Sequence, residues 1–302
     1  MAARFVLSLD CEGKWGVADS LTASHRCKLT DDRLAGAYDA ILRLLDEYDI
    51  AATFAFAGLF SQTAAQFARL RPLVEAFAKN APDYLRPALH DIDASQGSGW
   101  HGAHLVGGVT SARAGHEIAL HGVTHVPWTS MSEELAEAEL ALFERLEAPV
   151  RQSQTFVYPR NLVAHVDMLE RRGMLGYRTA TPGRSRAASL ASEFNIFPRP
   201  ESPVASHALV PIPGGFFLNW RSGPRRLIPP AVTLHRARRL LDRAISAGEV
   251  VHYWLHPENI ATAPATLSVL RGLIEEVARR RDAGTCEVLT QLDYCHWVRS
   301  LA

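Results

Sequence analysis

The chain has 302 residues, 47% hydrophobic and 21% charged, a composition that excludes a disordered or fibrous protein and can bury a sizeable core. Length alone fits two domains or a single α/β barrel of ~250 residues with insertions. Thirty-two basic side chains balance 32 acidic ones, so the broad positive field needed for non-specific binding to nucleic acid or an anionic membrane is missing, and neither is an expected partner.

Short β-branched or aromatic runs alternate with amphipathic stretches, the pattern of a parallel sheet wrapped by helices. In chain order the first half predicts a strand over 5–9, a helix over 31–47, a strand over 52–56, a helix over 63–79, a strand over 117–120 and a helix over 132–147. The second half predicts a strand over 155–158, a helix over 164–172, strands over 176–179 and 209–212, a helix over 231–247, a strand over 250–255, a helix over 265–281 and a strand over 287–289. Ser132 and Glu134 supply an N-cap and an early acidic residue, and Gly248 stands where a helix takes a left-handed C-terminal glycine. Two segments break the rhythm: 81–114, rich in Gly, His and Asp, and 182–224, rich in Ser, Pro and Arg. Both are expected to be long loop insertions, which in compact domains serve as binding loops or lids. One barrel-like domain over 1–302 is the expected organisation.

The apolar stretch at 5–9 is broken at Asp10, too early for a signal-peptide core of ~7–15 residues. No apolar run approaches the ~20 residues of a membrane span, so a soluble, cytoplasmic protein is expected. Cys11, Cys27, Cys286 and Cys295 show no metal-ligand spacing and are expected to be reduced, structural thiols.

The first strand ends in Ser8-Leu9-Asp10-Cys11-Glu12-Gly13, bringing two carboxylates to the point where a parallel strand gives way to a loop. Alternation sets Asp10 and Glu12 on one side; alone, the pair fits a solvated turn equally well. The strand at 117–120 runs into His121-Gly122-Val123-Thr124-His125, whose imidazoles face one metal if the segment is helical. With a carboxylate from the first strand they make a candidate site of two histidines and one acid, with open positions for water and substrate. The strand at 250–255 sets His252, Trp254 and His256 on one face, with His256 at the C-terminal edge. His252 is expected to be a buried histidine bonded to a carbonyl. The strand at 155–158 ends at Tyr158 and brings Arg160 and Asn161 to the same rim.

These segments resemble, in the family's order, the motifs of the polysaccharide deacetylases of carbohydrate esterase family four: 8–13, 117–127, 156–161 and 251–257, with 52–58 similar to the family's second strand. The resemblance implies a distorted (β/α) barrel of about seven strands and a metal-dependent hydrolase that removes acyl groups from amide nitrogens on sugars. Carried onto matching positions, it implies Asp10 as base, Glu12, His121 and His125 as metal ligands, and His256 as acid. The chain departs from the pattern in its first motif, where Asp-Cys-Glu-Gly replaces two adjacent aspartates before glycine. It departs again in the third, where Val157 stands in the place of the family's arginine and Arg160 is the expected partner of Asp10. The fourth motif, an acidic residue beside tryptophan, is represented by Asn219-Trp220. The acidic-x-Glu pattern followed by Lys14-Trp15-Gly16 is similar to a subgroup associated with bacterial surface-polysaccharide synthesis.

Trp15, Trp100, Trp128, Trp220 and Trp254 offer flat faces for sugar rings, although most aromatics in such a domain pack the core; Trp15, Trp220, Trp254 and Tyr158 are the candidates for substrate contact. Arg221, Arg225 and Arg226 fit a phosphate site or a solvated loop, and Arg236, Arg238, Arg239 and Arg243 are expected to face solvent on a helix. The expected function is hydrolysis of an N-acetyl or N-formyl group from an amino sugar or glycan precursor, with zinc as the first-choice metal. A cyclic-amide (allantoinase-like) hydrolase on the same scaffold and an inactive carbohydrate-binding protein are the alternatives. No Gly-rich phosphate loop with its lysine occurs, which disfavours an NTP-dependent enzyme.

Overall fold

The computed structural model describes residues 2–95, 97–180, 192–194, 202 and 208–301. Its strands are β1 (Ala3–Cys11), β2 (Thr53–Phe56), β3 (Glu117–Leu120), β4 (Thr155–Val157), β5 (Gly176–Arg178), β6 (Val210–Ile212), β7 (Phe216–Phe217), β8 (Val250–Leu255) and β9 (Cys286–Leu289). They form one curled parallel sheet in the order β6-β5-β4-β3-β2-β1-β8-β7, a half-barrel, with β9 beside β1. β1 is the axis. On one side it pairs with β9 over Ala3–Val6 and with β2 over Ser8–Cys11, and on the other with β8 over Arg4–Leu9. A strand so surrounded is buried on both faces, which is why it is a nearly continuous apolar run until its acidic end. Among the described residues the sheet has nine strands, where about seven were expected. The unforeseen β7 is two residues long, too short to give an alternation signal.

Alternation along β1 divides the molecule into two layers. Phe5, Leu7, Leu9 and Cys11 point to the convex side and join the main core. Val6 points to the concave side, into a second cluster with Val210, Ile212 and Val250 and with Tyr294, Cys295 and Val298 of α11 (Gln291–Leu301). This last helix plugs the N-terminal half of the concave face. Gly176 makes room for it, since a Cβ there would lie 2.3 Å from Cys295 Sγ. Glu117 holds the start of α11, accepting from the Leu292 N–H at 3.0 Å and from the Thr53 hydroxyl at 2.7 Å. Above the plug, Ala55, Ala119 and Val157 form a small buried row. Their short side chains leave the C-terminal strand ends to the polar residues.

The convex layer includes α2 (Asp31–Tyr48), α3 (Ala64–Phe77), α6 (Glu133–Phe143), α8 (Pro230–Ala247) and α10 (Thr266–Asp282), at the predicted places. The Ser132 hydroxyl caps α6 by accepting from the Leu135 N–H, and Gly248 ends α8 at φ 69°. The segment 81–114 is not a loop. It contains two helices, Pro82–Ala94 and Ala103–Thr110. The first is announced by Pro82 at its N-terminus and buries Leu85, Ala88 and Ile92, a helical spacing that the polar composition obscures. It is tied to the first strand's loop through buried Asp91, which accepts from Lys14 Nζ (3.3 Å), Trp100 Nε1 (2.9 Å) and Arg26 Nε (2.5 Å). Of the second predicted insertion, 182–191, 195–201 and 203–207 lie outside the described residues; 208–224 holds β6 and β7. Arg236, expected in solvent, is buried and pairs with Glu193 at 3.1 Å. Among the described residues no helix is long and apolar enough to cross a membrane.

Candidate active site

The candidate residues gather at the C-terminal ends of the strands, where loops can reshape without disturbing the sheet. β1 delivers Asp10 and Glu12, both nearly buried. Residues 121–125 after β3 are a loop and not the turn of helix that the four-residue spacing suggested. Gly122 (φ 63°) and His125 (φ 61°) turn the chain instead, and the two imidazoles still converge, with ring centroids 5.0 Å apart. Glu12 Oε1 lies 2.9 Å from His121 Nε2 and 3.0 Å from His125 Nε2. His256, at the end of β8, reaches the same oxygen with Nε2 at 3.4 Å and lies 4.0 Å from Asp10 Oδ2.

The surroundings set the charges. Burial opposes ionisation of Glu12, but His125 and His256, with hydrogen bonds from both loop histidines, outweigh it and hold the carboxyl well below its usual range. Burial likewise opposes charge on Asp10, and Arg178, His121 and His256 more than compensate, so its pKa falls. For His256 burial works against the proton, whereas Glu12, Asp10 and Glu258 favour it and raise the pKa to about 9. Burial lowers the pKa of His125. Cys11, between the two acids, is fully buried, and burial pushes its thiol up, which suits a structural thiol and not a nucleophile.

Among the described residues, two sets of donors stand close enough to hold a cation: Glu12 with His121 and His125, and Asp10 with Glu12 and His256. The chemistry of the donors separates them. His121 Nδ1 meets the Val157 carbonyl at 2.8 Å, an acceptor for an Nδ1 proton that would leave Nε2, the nitrogen on the Glu12 side, available to a cation. Both oxygens of Asp10, by contrast, already accept from Arg178 at 2.7 and 2.6 Å. The first set therefore fits a divalent ion of the zinc type, and the second does not.

Arg160 does not reach Asp10. It pairs with Asp19 at 2.6 Å and lies over the Tyr84 ring. The guanidinium on Asp10 belongs to Arg178 at the end of β5, which no motif flagged. Its signal is an arginine inside a buried strand, a position that demands a carboxylate partner. Behind it the Ser8 hydroxyl bridges Arg178 Nη1 (3.1 Å) and His252 Nε2 (2.8 Å), and His252 Nδ1 meets the Pro213 carbonyl, the bond expected for that histidine. Glu258, also missed, accepts from the Glu12 and Gly13 N–H groups at 3.1 and 2.5 Å and so fixes the acidic loop.

The aromatic candidates divide. Trp15 is buried against Trp100 and Phe67, with its indole N–H on the Trp100 carbonyl. Trp100 and Trp128 are also buried, and Tyr158 packs among Trp128, Phe156 and Tyr177. Trp15 and the Tyr158 ring are thus core residues and not faces for a sugar. Trp254 and Trp220 are partly exposed. Trp254 lies beside Arg178, Phe217 and His256 and so borders the site.

The sequence model described as polysaccharide deacetylase matches residues 27–180. A search of curated proteins by sequence finds no match. A solved structure from Mycobacterium smegmatis, assigned to the polysaccharide deacetylases, aligns with TM-score 0.61 and 17% identity over 100% of this chain and 92% of its own. One from Pseudomonas aeruginosa PAO1 with the same assignment gives TM-score 0.57 and 14% identity over 98% and 92%. The PuuE allantoinase gives 0.55 and 15% over 97% and 90%. At these identities the likeness establishes a common fold. The family match, which contains both loop histidines and Arg178, spans more than half of the 302 residues, and the chain belongs to the polysaccharide deacetylase family.

Proposed function

We propose that the chain is a metal-dependent hydrolase that removes an N-acetyl or N-formyl group from an amino sugar, a glycan precursor met in the cytoplasm. The observation that carries the reading is the convergence of His121 and His125 on one oxygen of Glu12, with Asp10 and His256 flanking it.

A divalent cation held by Glu12, His121 and His125, zinc by the nature of the donors, would lower the pKa of water from ~15.7 towards ~7 and polarise the acyl carbonyl. Asp10, kept ionised by Arg178, takes the proton of the attacking water. Arg178 is a positioning residue in this scheme, the part first expected of Arg160. His256, whose Nδ1 faces the Asn259 amide oxygen at 3.4 Å, carries the proton that the departing amine needs. Each acid or base contributes roughly 10²–10⁴-fold in rate. The backbone N–H of Tyr158 is the candidate donor to the developing oxyanion. Trp254 and Trp220 are the candidates for sugar contact.

Product analysis on N-acetyl and N-formyl amino sugars, with and without a chelator, tests the reading, with cyclic ureides as a parallel substrate set. Release of acetate or formate that stops with chelation is the expected result. Hydrolysis confined to the ureides would replace it with the cyclic-amide reading, and hydrolysis of none of these amides would favour a binding role.

A further inference from the structure

We propose that Glu139, on α6, is a positioning residue that sets His121 and His125 for metal binding; the inference rests on the metal site proposed above. Residues 121–125 belong to neither helix nor strand, so their backbone groups must find partners elsewhere. The carbonyls of Gly122 and Val123 accept from the N–H groups of Gly58 and Leu59 at 2.8 and 2.9 Å. The N–H groups of Val123 and Thr124 go to one side chain. Glu139 Oε1 accepts from Val123 N at 2.6 Å and from Thr124 N at 3.0 Å, while Oε2 accepts from the Thr124 hydroxyl at 2.8 Å. Thr124 Oγ1 in turn accepts from Val126 N at 3.3 Å.

One carboxylate, 1% exposed, thus ties down Val123 and Thr124 in the middle of the segment between the two histidines. The segment needs holding, because both ends of the turn, Gly122 and His125, have positive φ. For His125 that conformation is unfavourable and persists only where its surroundings impose it. The hydrogen bonds of Glu139 go to Val123 and Thr124 and not to either imidazole. It acts through the backbone, and its removal frees His125 to leave the left-handed region and carry its Nε2 away from Glu12.

The experiment is a cobalt and zinc competition titration of the full-length chain, its Glu139→Ala and Glu139→Gln variants, and Gly176→Ala as a control that perturbs packing remote from the histidine loop. Amide hydrogen exchange at Val123 and Thr124 is measured alongside on metal-free protein. Glutamine can keep accepting from both N–H groups and donate to Thr124 Oγ1, so Glu139→Gln retains near wild-type affinity. Glu139→Ala binds about 10–100-fold more weakly and exchanges both amides faster, while Gly176→Ala keeps its affinity. Unchanged affinity in Glu139→Ala, or an equal loss in Gly176→Ala, overturns the proposal. A wild-type chain that binds neither metal overturns the metal site and this inference with it, a result distinct from equal binding by wild type and variant. Should Glu139→Ala fail to fold, Thr124→Val removes one arm of the clamp alone: a few-fold loss is expected, and none contradicts it.

Discussion

Arg178 of β5 and Asp10 of β1 form a two-point contact, Nη1 on Oδ1 at 2.7 Å and Nη2 on Oδ2 at 2.6 Å, in which neither side chain is more than 2% exposed. The pair decides what Asp10 can do. With both oxygens engaged by a fixed cation it is ionised and oriented beside the cluster, which suits a base better than a ligand. Arg178→Ala leaves a buried carboxylate unpaired and should cost about 3–5 kcal/mol in stability. Arg178→Lys keeps the charge and loses the fork, so it should fold and lose at least about tenfold in turnover. Arg160→Lys should change turnover little; steady-state kinetics on the two lysine variants would contradict the assignment if their losses were reversed.

Asp10→Asn and His256→Gln separate chemistry from metal binding. Both should retain the ion and lose roughly 10²–10⁴-fold in turnover, as measured by metal content and acyl release on the same preparations. Loss of the ion in Asp10→Asn would make that residue a ligand.

His252 gives a pH dependence of stability. Burial, reinforced by the charge of Arg178, lowers its pKa to about 3. The folded value lies below the unfolded one near 6.5, so the stabilisation is present above pH ~6.5 and is lost as the pH falls towards ~3, where the unfolded chain binds a proton that the folded chain refuses. The slope attributable to this group is about 1.4 kcal/mol per pH unit. Denaturant titrations should show a shallower acid limb in His252→Gln; an unchanged limb would place the dependence elsewhere.

Gly176→Ala tests how α11 docks. The added methyl group meets Cys295 Sγ inside a closed cluster, and overpacking of this kind costs about 1–3 kcal/mol. Denaturant midpoints should fall accordingly, and an unchanged midpoint would show that α11 packs against β5 more loosely than described.

Much of this was legible in the sequence because parallel strands carry a strong local signal. Glu117–Leu120 and Val250–Leu255 have the predicted bounds, and the polar residues closing β1, β3 and β8 stood out against apolar runs. Legibility failed where the determining partner is distant. Arg178 is one arginine among many until the curl of the sheet sets it against Asp10. Pro82–Ala94 was hidden by charged residues, one of which, Asp91, is buried by contacts from Lys14 and Arg26. The histidine spacing suggested a helix, yet two positive-φ residues bring the same rings together in a loop. Side-chain periodicity reports which face a residue occupies, and not which remote segment will meet it.

The central claim is that Glu12, His121 and His125 hold one divalent ion. Metal analysis of protein loaded with zinc and dialysed tests it most directly, on wild type, Asp10→Asn, His121→Ala and His125→Ala. The account predicts one equivalent in the first two and essentially none in the histidine variants; an ion retained at full stoichiometry in both histidine variants would contradict it.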